Sequence, residues 1–287
     1  APKLTEGQAV TVEVSRAAQG GKGLRLRLLA PDAASEQKGL ITPGPTPLAR
    51  LAVLWPTATL VVDSPAAAAH IPPSLRARRE AGFAPYPDAI AAACDALEEP
   101  VVPLPGGMEA TITPTPALIA IDMDAPPAQT GRPKQTAQFA ANRDALPALM
   151  RQIRLRNLSG AILIDPAGLA TRKRHALLEP VAEALKSDPL NPRCLGVTGL
   201  GLIEIVRARV YPSLPELLNS PHGRALRALR HILTHAPQTR RLCGGAGLIR
   251  ALEQDPEAVA DCARQLGRPL SLHTDHTLPD LTWTVQD

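Results

Sequence analysis

The chain has 287 residues, 45% of them hydrophobic and 20% charged. That balance excludes wholesale disorder, and the length suffices to bury a core without disulfides or metals as staples. No apolar run reaches the roughly 18 residues of a membrane span, and Ala1–Glu6 carries no apolar h-region, so a cytoplasmic protein is expected. The net charge of +4 suits a polyanionic partner, whereas 2% aromatics leave few platforms for base stacking. Cys94, Cys194, Cys243 and Cys262 form no Cys-x-x-Cys pair and read as buried thiols.

In chain order, Gln8–Val14 and Leu24–Leu29 are strand-like runs joined by the turn Gly20-Gly21-Lys22-Gly23. Pro31–Pro47 is turn-rich, and Leu51–Leu54 and Thr59–Asp63 are short apolar runs of β character. Pro73–Ala84 is basic and flanked by breakers, Ala89–Glu99 reads as a helix, and Val101-Val102 with Ala110–Ile112 form a hairpin across Pro105-Gly106-Gly107. Ala117–Ile121 is a strand that ends at Asp122, and Thr136–Arg156 is a long helix that runs through Pro147. Ala161–Ile164 is a second strand, ending at Asp165; a helix over Thr171–Lys186 and a strand over Cys194–Val197 follow. This order predicts a βαβ unit in an α/β layer. Helices over Arg224–Leu233, Leu248–Gln254 and Asp255–Leu266 suggest a small terminal domain.

Asp122 and Asp165 each follow an apolar strand directly. Parallel strands joined by a right-handed crossover bring both carboxylates to the same edge of the sheet, where open α/β sheets place their sites. Asp124 faces the same way if its strand continues. Carboxylates gathered there repel one another, and a hard cation such as Mg²⁺ relieves the repulsion and polarises a phosphodiester. The alternative is that each Asp caps a strand end or a helix. Arg151, Arg154, Arg156, Arg172, Lys173 and Arg174 are expected around these acids as phosphate contacts, although the first three also suit a helix C-terminus. Phe83 and Tyr86 are candidates for stacking or for the core. The pairs His231/His235 and His273/His276 lack further ligands at zinc spacing.

Four ordered blocks resemble the catalytic domain of the ribonuclease E/G family. They are Leu118–Asp124, Thr136–Asn142, Arg151–Asp165 and Leu200–Arg209 with Pro212-Ser213-Leu214. Weaker likeness links Pro87–Ala120 to that family's RNase H-like segment, Glu6–Gly23 to its OB-type insert and Leu281–Val285 to its closing strand. The resemblance implies an RNase H-like/DNase I-like α/β core with a partial OB-type N-terminal segment and a small C-terminal α/β domain. The expected boundaries are 1–30, 31–115, 116–215 and 216–287.

It also implies Mg²⁺-dependent endonucleolytic cleavage of single-stranded RNA, with Asp122 and Asp165 as metal ligands and Asp124 assisting where the family has asparagine. Lys22, Arg154, Arg156 and Arg207 are the expected RNA contacts. Pro215–Pro221 hold no cysteine where the family has its zinc link, so no zinc and no zinc-linked oligomer are expected. The five-prime sensor segment is missing, and Gly199 replaces a frequent arginine. A non-catalytic RNA-binding or assembly protein on the same scaffold is the second reading, and a nuclease or phosphatase for small substrates the third.

Overall fold

The computed structural model describes residues 4–19, 21–30, 39–62, 65–81, 88–126 and 133–286. Phe83 and Tyr86, and much of the turn-rich 31–47 stretch, lie outside the described residues. The chain divides into two compact units, one from residues up to Val14 and Leu26–Glu99, the other from Ser15–Arg25 and Pro100–Asp287. The fold is mixed α/β.

Strands β1 (Thr11–Arg16) and β2 (Arg25–Ala30) pair as a two-stranded sheet. In the first unit, helix α1 (Pro47–Leu54) replaces the strand expected at Leu51–Leu54. Its start explains the difference: the Thr46 hydroxyl accepts from the Ala49 N–H at 3.1 Å, and Pro47 sits in the first turn, where its missing N–H costs nothing. Strand β3 (Leu60–Val62), helix α2 (Pro65–Ala69) and strand β4 (Arg79–Ala81) follow, with β3 parallel to β4, and then helix α3 (Asp88–Asp95).

The second unit is built on a six-stranded sheet. Strands β5 (Val101–Leu104) and β6 (Met108–Pro114) form the expected hairpin, turned by Gly106 and Gly107 at φ +75° and +73°, where only glycine is unstrained. Strand β7 (Ile119–Asp124), helix α4 (Lys134–Leu155) and strand β8 (Gly160–Asp165) make the crossover. Helices α5 (Thr171–Arg174) and α6 (Leu178–Leu185) are joined by a tighter 3-10 turn at His175–Leu177, so the helix expected over 171–186 is present with one overwound turn. Strands β9 (Arg193–Val197) and β10 (Ile203–Arg207) complete the order β5-β6-β7-β8-β10-β9. Only β7 and β8 are parallel neighbours; β10 inserts antiparallel between β8 and β9.

The expected boundary at residue 115 falls inside this sheet. Ile112 on β6 pairs in register with Ile121 on β7. Val102, Leu104, Met108, Ala110 and Ile112 bury in the same core as Ile121, Ile162 and Ile205, so the hairpin cannot be parted from the layer that holds β7 and β8. Alternation sends Ile119, Ile121 and Met123 into that core against α4, and Asp122 and Asp124 to the other face.

A second core closes the chain. Helices α7 (Leu214–Asn219), α8 (Pro221–His235), α9 (Ala246–Glu253) and α10 (Pro256–Leu266) accompany strands β11 (Arg241–Gly244), β12 (Ser271–Thr274) and β13 (Trp283–Gln286). The strands are ordered β12-β11-β13, and Leu229, Ile232, Leu242, Leu248 and Leu252 fill the layer between sheet and helices.

Candidate active site

The parallel pairing of β7 and β8 sets Asp122 directly opposite Asp165. Neighbouring strands lie about 4.8 Å apart, so two side chains in the same row on the same face are close neighbours. Asp124 follows two residues later on that face, opposite Glu109 of β6. Asp165 ends its strand at the edge where the chain turns toward α5. That turn is pinned from α4: the buried Asn142 side chain accepts from the Ala167 N–H at 2.9 Å and donates to the Ala167 carbonyl at 2.9 Å. The helix between the two strands thus holds the loop behind the second aspartate.

Burial first, then the charges of Asp124 and Asp165, push the Asp122 carboxyl above the usual carboxylate range. A carboxyl raised in the folded state binds a proton there that the unfolded chain has already lost. Stability therefore falls as pH rises from the ordinary value of 3.8 through the raised one. Asp122→Asn is accordingly expected to raise the urea midpoint of the metal-free protein at pH 7, and to leave it unchanged near pH 3. Denaturation in EDTA at both pH values checks this. Among the described residues no three His, Cys, Asp or Glu side chains converge as a metal cage. Two aspartates in one row nevertheless fit Mg²⁺, which takes one or two carboxylates and completes its shell with water and phosphate oxygens.

The predicted arginines divide by edge. Helix α4 runs back across the sheet, so its C-terminal Arg154 and the following Arg156 lie where β8 begins at Gly160, at the far end from Asp165. Arg207 pairs with Gly160 and shares that edge. Five residues of strand separate this row from the acids, about 17 Å. Arg156 is 3% exposed, with its Nε directed at Gln152 Oε1 at 3.3 Å. Arg207, also 3% exposed, donates to Asp188 Oδ2 at 2.7 Å, Asn157 Oδ1 at 2.8 Å and the Leu158 carbonyl at 3.1 Å. Both are interior groups, which corrects the expectation that they contact RNA. Half-buried Arg154 donates to Ser187 Oγ at 3.0 Å, and Lys22 is exposed in its turn.

The basic residue that does meet the acids is Arg174, whose Nη1 donates to Asp165 Oδ1 at 2.6 Å. The sequence places it in the run Arg172-Lys173-Arg174 just after the strand, at the correct edge, but spacing alone does not single it out. His231 and His235 are exposed and stack at 5.0 Å.

Residues 84–210 match the model of the Ribonuclease E/G family. This segment belongs to that family. Its span contains the whole six-stranded sheet and both registered aspartates. Among curated relatives, ribonuclease E of Synechocystis sp. is 33% identical over 124 residues, 43% of this chain and 18% of that protein. Ribonuclease E of Escherichia coli K12 is 34% identical over 116 residues, 40% of this chain and 11% of that protein. Ribonuclease G of the same strain is 31% identical over 128 residues, 43% of this chain and 26% of that protein. The ribonuclease E/G likeness thus covers less than half of this chain and about a quarter or less of these relatives. Lys22 and the second core lie outside the family segment. No helix among the described residues is long and apolar enough to cross a membrane.

Proposed function

We propose that this protein is a Mg²⁺-dependent endoribonuclease that cleaves single-stranded RNA. One observation carries the reading: Asp122 and Asp165 stand side by side on the only parallel pair of the sheet, on the face turned away from the core, with Asp122 destabilised as a carboxylate by burial and then by its acidic neighbours. Carboxylate repulsion at a strand-end edge, which Arg174 relieves at Asp165 alone, is what a divalent cation offsets. The ribonuclease E/G segment supplies the substrate class.

In this mechanism Asp122 and Asp165 hold the ion. Such an ion supplies Lewis-acid stabilisation of the scissile phosphate and makes water a better nucleophile. Asp124 adds a third carboxylate on the same strand face, where it accepts a hydrogen bond or a proton from attacking water. Arg174 keeps Asp165 in place. Lys22 and Arg154 serve as phosphate contacts; Arg154, at the opposite edge, acts on RNA away from the bond that breaks.

The test is cleavage of a labelled single-stranded RNA by purified protein with Mg²⁺ and with EDTA, alongside Asp122→Ala/Asp165→Ala. Mg²⁺-dependent products that vanish in the double variant are expected. The second reading, RNA binding without cleavage, is favoured by the guanidinium already seated on Asp165, which neutralises that carboxylate without a metal. Salt-sensitive RNA binding by both proteins with no products would establish it.

A further inference from the structure

Three segments fix the guanidinium of Arg174. Its Nη1 donates to Asp165 Oδ1 at 2.6 Å on β8 and to the Gly201 carbonyl at 3.0 Å in the β9–β10 turn, and its Nε donates to the Leu169 carbonyl at 3.0 Å. The side chain is 14% exposed, against 47% for Asp165. The turn is itself tied down, since the Thr198 hydroxyl accepts from the Leu200 and Leu202 N–H groups. Gly201, at φ +92°, leaves room for the arginine: a Cβ there would stand 3.1 Å from Nη1. Asp165 Oδ2, by contrast, makes no hydrogen bond with any described residue.

We infer that Arg174 is a positioning residue: by occupying Oδ1 it restricts Asp165 to a single oxygen, Oδ2, toward a divalent cation shared with Asp122. The inference deepens the metal-dependent reading above and rests on it. Orientation is one consequence. An exposed carboxylate turns freely about two side-chain bonds, and the ion pair to a fixed guanidinium removes that freedom. Charge is the other. Asp122, Asp124 and Asp165 gather on this face, with Glu109 opposite Asp124, and Arg174 offsets one of these negative charges. Without Arg174 the site is more negative and holds cations more tightly, while Asp165 is free to chelate through both oxygens. Mg²⁺ keeps several waters in an octahedral shell, and a chelating carboxylate takes a position one of those waters would hold. Removing Arg174 therefore moves affinity and turnover in opposite directions.

The experiment compares wild type, Arg174→Gln, Arg174→Lys and Asp122→Ala/Asp165→Ala. Eu³⁺ serves as the probe ion, because its luminescence lifetime counts coordinated waters without any RNA. Arg174→Gln is expected to bind Eu³⁺ about threefold to tenfold more tightly, through lost charge repulsion, and to carry about one water fewer. At saturating Mg²⁺ its kcat for RNA cleavage is expected to fall about tenfold with KM little changed, and Arg174→Lys to recover part of the loss. An unchanged lifetime and affinity in folded Arg174→Gln would overturn the inference. So would weaker Eu³⁺ binding with a lowered unfolding midpoint in both Arg174 variants, the pattern of a merely structural ion pair. Failure of the underlying metal reading shows elsewhere, as Eu³⁺ binding that survives intact in Asp122→Ala/Asp165→Ala, and that result overturns both.

Discussion

Asp165→Asn is expected to lower Mg²⁺-dependent RNA cleavage by about a thousandfold, ~4 kcal/mol of transition-state stabilisation, at little cost in stability. Asparagine keeps an oxygen in the place of Oδ1, so Arg174 retains an acceptor, and the neutral bond that remains differs from the ion pair by about 1 kcal/mol. What is lost is the charge that faces the cation. Asp122→Asn should lose activity to a similar degree yet gain stability in EDTA, because its carboxylate is disfavoured by burial and by two neighbouring acids. The pairing of lost activity with unchanged or improved stability separates a functional carboxylate from a capping one, whose removal destabilises the fold. Single-turnover cleavage of a labelled RNA and urea denaturation in EDTA measure the two quantities. Full activity in a folded Asp165→Asn protein would remove the aspartate pair from the mechanism.

The acid pair was legible because two simple periodicities converge on it. Strand alternation puts Asp122 and Asp124 on one face, and the handed crossover makes β7 and β8 parallel, so that their last residues share an edge. The same crossover, followed one step further, also dictates where α4 ends. A helix that connects parallel strands must return to the start of the second one, so Arg154 and Arg156 belong at the edge opposite the acids. Proximity in sequence to Asp165 hid this. The insertion of β10 between β8 and β9 was equally hidden, since local periodicity finds a strand but carries no information on which neighbour it pairs with. At Leu51–Leu54 the apolar run by itself reads as a strand, whereas the capping signal Thr46-Pro47 just ahead of it starts the helix. Arg174 depends on a contact between residues nine apart and on the return of the chain at Gly201, neither of which composition or spacing encodes.

Arg207 gives the largest expected effect on stability. Its guanidinium and the Asp188 carboxylate are 3% and 4% exposed and joined by two bonds, 2.7 Å from Nε and 3.3 Å from Nη2. The remaining donor, Nη1, meets Asn157 Oδ1 and the Leu158 carbonyl, while Asp188 Oδ1 also accepts from the Leu190 N–H. Asn157, at φ +48°, in turn donates to the carbonyls of Tyr211 and Pro212. One ion pair thus ties the start of β8, the end of β10, the turn after α6 and the chain leaving the family segment. Arg207→Ala strands the Asp188 charge in the interior and is expected to cost about 3–5 kcal/mol, read as a shift in the urea midpoint. Arg207→Met with Asp188→Leu removes both charges at similar volume and should recover most of that loss, since desolvation of the pair offsets much of its attraction. A phosphate contact would behave differently. Arg207→Ala would then leave the midpoint within about 0.5 kcal/mol and reduce the salt dependence of RNA binding by about one counterion. The closed geometry around Arg207 requires the first outcome, because four of the fork's five N–H groups are already taken by a carboxylate, an amide and a carbonyl, and the side chain is buried away from any RNA strand.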